Sequence, residues 1–416
     1  MSRLALEGIT IIDVSHMWAG PMATGILADM GAEVIKIESI QRLDMWRGGA
    51  AILMGRTERP HEGAPPYNAV NRNKYGISLD LANPRGVEIF KELVKISDVV
   101  FENYSPRVMK DLGIDYPVLK QVKPEIIMLS MPAFGMTGPW RDYAGFASNI
   151  EQVAGIAQLT GYPDGPPRVV GTAGADPLAG LNAAFAVLAA LKHRRRTGKG
   201  QYIDLSQAES IACLIGEAIL EYSMNKRVQP RRGNRHHSMA PHGCYRCKSD
   251  DMWATIAVSS DADWTRFCQA LGNPSWTRDE RFSNALGRWQ NQDELDKRIE
   301  EWTIEHDHYE VMHLLQKAGV AAGALLNPAE LLEDPHLKAR GFFEVVDRDV
   351  VGKYPYPRSP IRLSKTPVST RIPAPCLGEH NEYVLGQLLG MSKEEMTKLA
   401  EEKIIGTEPI AWTVER

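Results

Sequence analysis

Residues 8–38, GITIIDVSHMWAGPMATGILADMGAEVIKIE, constrain the fold more than any other stretch of the chain. Gly8–Val14 reads as a short buried strand. Gly20-Pro21 ends it, and Pro21 suits the first turn of a helix, where a missing N–H costs nothing. Gly31 suits the end of that helix, and Glu33–Ile37 is a second strand. This is one βαβ unit, of about the 30 residues such a unit needs. The rhythm then recurs. Gly76–Asp80, Asp98–Glu102 and Ile126–Ser130 read as strands. Arg85–Ser97, Ser105–Leu112 and Pro117–Val122 read as the intervening helices. Alternation of this kind predicts an α/β chain with a parallel, doubly wound sheet.

Such sheets hold ligands where strands turn into helices. Those turns are Ser15–Gly20, Asn103-Tyr104 and Ala133-Phe134-Gly135. None carries GxGxxG, and the phosphate-cradling GxxxxGK[S/T] is also missing, so the common dinucleotide and P-loop readings lack their motif. A nucleotide-binding oxidoreductase is disfavoured on that ground. With 48 basic against 52 acidic residues, the chain has no broad positive field, and nucleic acid is not an expected partner. The N-terminus lacks the charged and apolar regions of a signal peptide. No apolar run approaches the ~18 residues of a membrane span. Five scattered cysteines suggest reduced thiols, so the expected compartment is the cytoplasm.

Further along, Asp176–His193 is apolar nearly all round and is expected to be a buried helix ending in Arg194-Arg195-Arg196. Gln201–Leu205 reads as a strand and Ser206–Tyr222 as one helix. From about residue 225 the composition turns polar and turn-rich. The expected division is a large domain over 1–224, a smaller α+β domain over 225–326, and a proline-marked segment, 327–416, returning to the large domain. Cys244 and Cys247 lack a second ligand pair. Their segment reads as a hairpin around Lys248–Asp251, so no metal is expected.

Several stretches occur in one order along the chain: Leu27–Glu38, Asn71–Lys74, Glu102–Pro106, Phe134-Gly135 with Gly138-Pro139, Asp176–Gly180, Arg195–Gln201, Asp334–Leu337 and Leu377–His380. In this ordered set the chain resembles the class III CoA-transferases. The resemblance implies a Rossmann-like large domain, a small domain, and two chains interlocked as rings. It makes Asp176 the covalent nucleophile of an acyl-CoA:carboxylate CoA-transferase. From position alone an Asp at a helix start is usually an N-cap. The family's carboxylate forms an acyl anhydride and then an aspartyl-CoA thioester. An ionised carboxylate needs no separate base. Backbone N–H groups near Gly135 or Gly233-Asn234 are candidate oxyanion donors.

By the same resemblance Met17, Trp18, Ala19, Lys74, Asn103, Tyr104 and Phe134 contact CoA, with Arg42 or Arg47 as a phosphate partner. A packed aromatic and a solvated lysine are the plainer readings. Arg235, His236 and His237 lie in a basic loop where a distal carboxylate can be gripped. That loop also reads as ordinary solvated surface. Coenzyme A and acyl-CoA are expected as substrates rather than as a resident cofactor, with a carboxylic acid as acceptor. Trp46-Arg47-Gly48-Gly49 hints at aromatic or dicarboxylic acids such as a succinate derivative. The racemase relatives use a His where this chain has Phe146, in Ala144-Gly145-Phe146-Ala147. Phenylalanine exchanges no proton, which disfavours a 2-methylacyl-CoA racemase. The assembly expected is a homodimer, or a heterodimer with a related subunit.

Overall fold

The computed structural model describes residues 4–48, 58–171 and 173–410. Gly49 of the Trp46–Gly49 motif and Thr172, before Asp176, lie outside the described residues. The chain forms two compact units: Met1–Ala157 with Val169–Lys226 and Ala339–Arg416, and Gln158–Arg168 with Arg227–Lys338.

In the first unit the chain runs β1 (Thr10–Asp13), α1 (Ala19–Asp29), β2 (Glu33–Glu38), α2 (Pro65–Val70), β3 (Lys74–Ser78), α3 (Pro84–Ile96) and β4 (Val99–Glu102). It continues through α4 (Val108–Asp111), α5 (Tyr116–Val122), β5 (Ile127–Ser130), α6 (Ala147–Val153), α7 (Ile156–Leu159), α8 (Ala175–Thr197) and β6 (Tyr202–Asp204). The strands form one sheet in the order β3-β2-β1-β4-β5-β6, with every pairing parallel. This is the doubly wound order, whose direction reverses between β1 and β4. Consecutive Ile11 and Ile12 are both fully buried, because helices cover both faces of the sheet.

The edge strand β3 is not left open. His380 N donates to the Gly76 carbonyl at 2.8 Å, and Asn381 accepts from Ser78 N at 3.0 Å. The C-terminal segment thus blunts a row of groups that invites pairing with another chain.

Two helix expectations change. The Ser206–Tyr222 helix is broken: α9 (Gln207–Ala212) passes through a 3₁₀ turn, Cys213–Ile215, into α10 (Gly216–Asn225). Gly216 stands at the break, where helix propensity is weakest. Helix α8 is not buried all round. Ala179, Ala183 and Val187 pack against Ala19, Ala23 and Leu27 of α1, whereas Leu181 is 50% and Phe185 73% exposed. By length and composition α8 is also long and apolar enough to cross a membrane, contrary to the sequence expectation that no run reached that size. Its alanine face lies in the core beside the sheet.

The second unit holds an antiparallel sheet, β7 (His242–Arg246), β8 (Trp253–Ala257) and β9 (Ala321–Ala324). Helices α11 (Asp261–Ala270), α13 (Gln292–Thr303) and α14 (His308–Lys317) share its core with the sheet, and α12 (Ala285–Gln290) precedes α13. Cys244 lies within β7, and Cys247 follows it, buried in that core. Both are free thiols.

Candidate active site

The first βα turn is fixed by side chains from three directions. Asp13 ends β1, is fully buried, and accepts from Ser15 N at 3.0 Å and Thr24 Oγ1 at 2.6 Å. Asn103, after β4, accepts from His16 N at 2.8 Å and donates to the His16 carbonyl at 2.9 Å. Asp44 accepts from Met17 N at 3.1 Å, holding Met17 at φ +65°, a conformation that L residues adopt only when their surroundings impose it. Trp18 sits 5.4 Å from Trp46, ring to ring. Tyr104 meets His16 Nε2 at 3.2 Å. Burial pushes His16 below its usual range and so favours the neutral ring. His16 is the contact sequence reading passed over, although it lies within the ligand-binding turn it singled out.

Lys74 and Arg47 are corrections. Lys74 Nζ is fully buried and donates to Asp13 at 3.0 Å, the Pro21 carbonyl at 2.9 Å and Asn71 at 2.9 Å. Arg47 is equally buried. It donates to Glu38 through Nε at 3.0 Å and Nη2 at 2.9 Å, pairs with Glu62, and lies 3.7 Å over the Tyr67 ring. Their donors already serve interior acceptors, so neither cation is available to a CoA phosphate. Lys74 instead ties the start of α1 to β1.

Asp176 is the second residue of α8. The cap position is Gly174, with no side-chain cap, so Asp176 is not capping its own helix. The backbone N–H groups of Ala19 and of Asp176 itself favour its charged form. Two helix starts therefore converge on one carboxylate, each with a partial positive charge. Gly180 permits this. A Cβ there would lie 2.8 Å from the Ala19 carbonyl, so α8 approaches α1 with no side chain between. Burial pushes Asp176 up to about 6, the two N–H groups oppose that rise, and the charge of Glu151 adds to it.

Gly135 holds φ +85° in the turn after β5, and the neighbouring Met136 N donates to Asp204 at 2.9 Å. Phe134 packs edge-on to Trp140 and Tyr143, at 6.1 and 6.4 Å. The remaining expected residues belong to the second unit. Arg235 pairs with Asp293 at 2.6 Å and Asp296 at 2.7 Å through its Nη2. His236 and His237 stack at 4.0 Å, and His236 Nδ1 accepts from Ser238 N at 3.2 Å. A cavity of about 580 Å³ in that unit is lined by Gly233, Asn234, Arg235, His242 and Cys244 together with residues of β8 and β9.

A family model for CoA-transferase family III matches residues 6–381. The chain belongs to CoA-transferase family III. It is 34% identical over 401 residues to succinyl-CoA–D-citramalate CoA-transferase of Chloroflexus aurantiacus, covering 96% of this chain and 98% of that one. The beta subunit of succinyl-CoA–L-malate CoA-transferase from the same organism is 33% identical, with 97% and 99% covered. A solved CAIB/BAIF family protein from Brucella suis superposes with TM-score 0.84 at 32% identity, over 93% of this chain and all of that one. The protein is thus a CoA-transferase, and CoA thioesters are its substrates.

Proposed function

We propose that this CoA-transferase moves CoA from an acyl-CoA donor to a carboxylic acid through covalent intermediates on Asp176. The supporting observations are the family match over residues 6–381 and the place of Asp176, half-buried in the first turn of α8; burial also pushes its carboxyl up to about 6. Asp176 attacks the donor thioester carbonyl, the C–S bond breaks, and CoA leaves as thiolate with a mixed anhydride on the enzyme. The thiolate attacks the aspartyl carbonyl and releases the donor acid. An acceptor carboxylate then attacks the aspartyl-CoA thioester and displaces the thiolate. Attack of that thiolate on the acceptor carbonyl regenerates Asp176. Backbone N–H groups at the start of α1 are the candidates to receive oxyanion charge, and water must be kept from the anhydride.

The named relatives favour succinyl-CoA as donor and a hydroxydicarboxylic acid as acceptor. We also propose an interlocked dimer, because Leu181, Phe185, Leu214, Ile219, Leu220 and Met224 of the first unit are exposed in a single chain. A related second subunit is the alternative, supported by the relative named as a beta subunit. Five free cysteines suit the cytoplasm.

The test is intact-mass spectrometry after incubation with succinyl-CoA and other acyl-CoAs, with and without hydroxylamine, on wild type and Asp176→Ala. A hydroxylamine-sensitive adduct on the wild type alone is expected. α-Proton exchange in D₂O without an adduct would move the assignment to a racemase.

A further inference from the structure

One buried carboxylate near the nucleophile has no place in the chemistry above. Glu151, on α6, is fully buried. Its Oε2 accepts from Val170 N at 2.9 Å and its Oε1 from Ala175 N at 3.2 Å. Those two N–H groups bracket the loop that delivers Asp176, and Ala175 is the residue immediately before it. The loop contains Gly171 at φ +52° and Ala173 at φ +76°, so its backbone has little preference of its own for this path. At the Ala175 end, Ile150, Ala175 and Ile211 form a small apolar cluster that buries the Ala175 amide, whereas Val170 is exposed.

We infer that Glu151 is the positioning residue of the transferase. Its two oxygens clamp both ends of the 170–175 loop and so set where the Asp176 carboxylate stands. The inference rests on Asp176 being the nucleophile. A carboxylate suits the task because it offers an acceptor at each oxygen, whereas an amide offers one acceptor and one donor pair. The charge of Glu151 also faces Asp176 and helps hold it up, alongside burial and against the Ala19 N–H.

Two variants separate clamp from charge. Glu151→Gln keeps the shape but loses one acceptor and the charge. Glu151→Asp keeps the charge but falls a methylene short. With succinyl-CoA as donor, both variants should lower the rate of adduct formation at least about tenfold, since small displacements of a reacting group are costly, while KM for the donor changes less. Only Glu151→Gln should move the acid limb of the rate profile to lower pH. Amide hydrogen exchange at residues 170–175 should quicken in both. Unchanged exchange overturns the clamp whatever the chemistry does. Faster exchange with an unaltered rate and acid limb overturns its role in positioning. No adduct on the wild-type enzyme overturns the nucleophile itself, and the positioning role with it.

Discussion

Two carboxylates, the buried Asp13 and the half-buried Asp176, have opposite settings. Burial alone would raise Asp13, but Lys74, then Lys36, and the hydroxyls of Ser15 and Thr24 outweigh it and hold the group far below the usual carboxylate range. Asp176 has the Ala19 N–H and its own, and no ion pair joins it among the described residues. Burial therefore prevails and pushes it up to about 6. A carboxylate neutralised by lysines is a weak nucleophile and a good strut. One held by dipoles alone keeps its basicity and remains available to a carbonyl. On the proposed mechanism, the nucleophile is the carboxylate that the fold leaves uncompensated.

The sharpest way to break that comparison is to change both groups to asparagine. Asp176→Asn should lower transfer by about 10⁴-fold or more, the scale of losing a covalent nucleophile. It should leave the melting temperature at pH 8 unchanged or higher, because a costly buried charge has gone. Asp13→Asn should do the reverse. It strands Lys74, so the protein should lose about 3–5 kcal/mol of stability. Calorimetry beside a thioester-exchange assay reads both. Equal losses of stability in the two variants would remove the distinction.

Next in size is the pH dependence. Asp176 must be ionised to attack, and its folded value is about 6. The rate of adduct formation should therefore fall about tenfold for each unit below pH 6 and level off above pH 7. An acid limb near 4 would show that burial is relieved when CoA binds. A smaller effect concerns Lys74, whose value burial pulls down to about 8 against the pull of Asp13. Sign and window follow from that: the depressed lysine binds its proton less tightly when folded. The wild type therefore gains stability as pH rises through about 8, and Lys74→Met should weaken stability more at pH 9 than at pH 7, read from urea midpoints. A penalty equal at both values would mean that Lys74 does not titrate there.

The sheet was legible because its signals are local. Gly31 and Pro21 punctuate a period the eye can follow, and the strand order places the turns after β1 and β4 at the reversal point. Asp176 stood out through the ordered motifs of the family, not through any property of an aspartate at a helix start, and its role stays a proposal. What failed was distinguishing free from engaged charge. Arg47 finds acceptors 9, 15 and 328 residues away, and nothing in the letters around it announces them. Glu151 escaped notice for the same reason, its partners lying 19 and 24 residues downstream. Helix α8 misled differently: a helix apolar on every face reads alike whether its second face meets its own core or lies open, as Phe185 does.

A third carboxylate lies between the two extremes and gives the mildest prediction. Glu102 ends β4, is buried, and accepts from Tyr104 N at 2.7 Å, immediately beside the turn that carries Asn103. Burial pushes it up to about 7, against the opposing effects of the Ser130 hydroxyl and the Tyr104 N–H, with no lysine among the groups that shift it. Because the folded value exceeds the unfolded one, protonation favours the native state. The stability this supplies is complete below an ordinary pH of about 4.5 and is lost as pH rises through about 7. Glu102→Gln fixes the neutral form. The variant should therefore melt close to wild type at pH 5 and above it at pH 8, with adduct formation on Asp176 altered less than by any substitution above. Parallel melting curves across that window would show that the Ser130 hydroxyl and the Tyr104 N–H together offset the burial of Glu102, and would leave Asp176 as the one uncompensated carboxylate of the pair with Asp13.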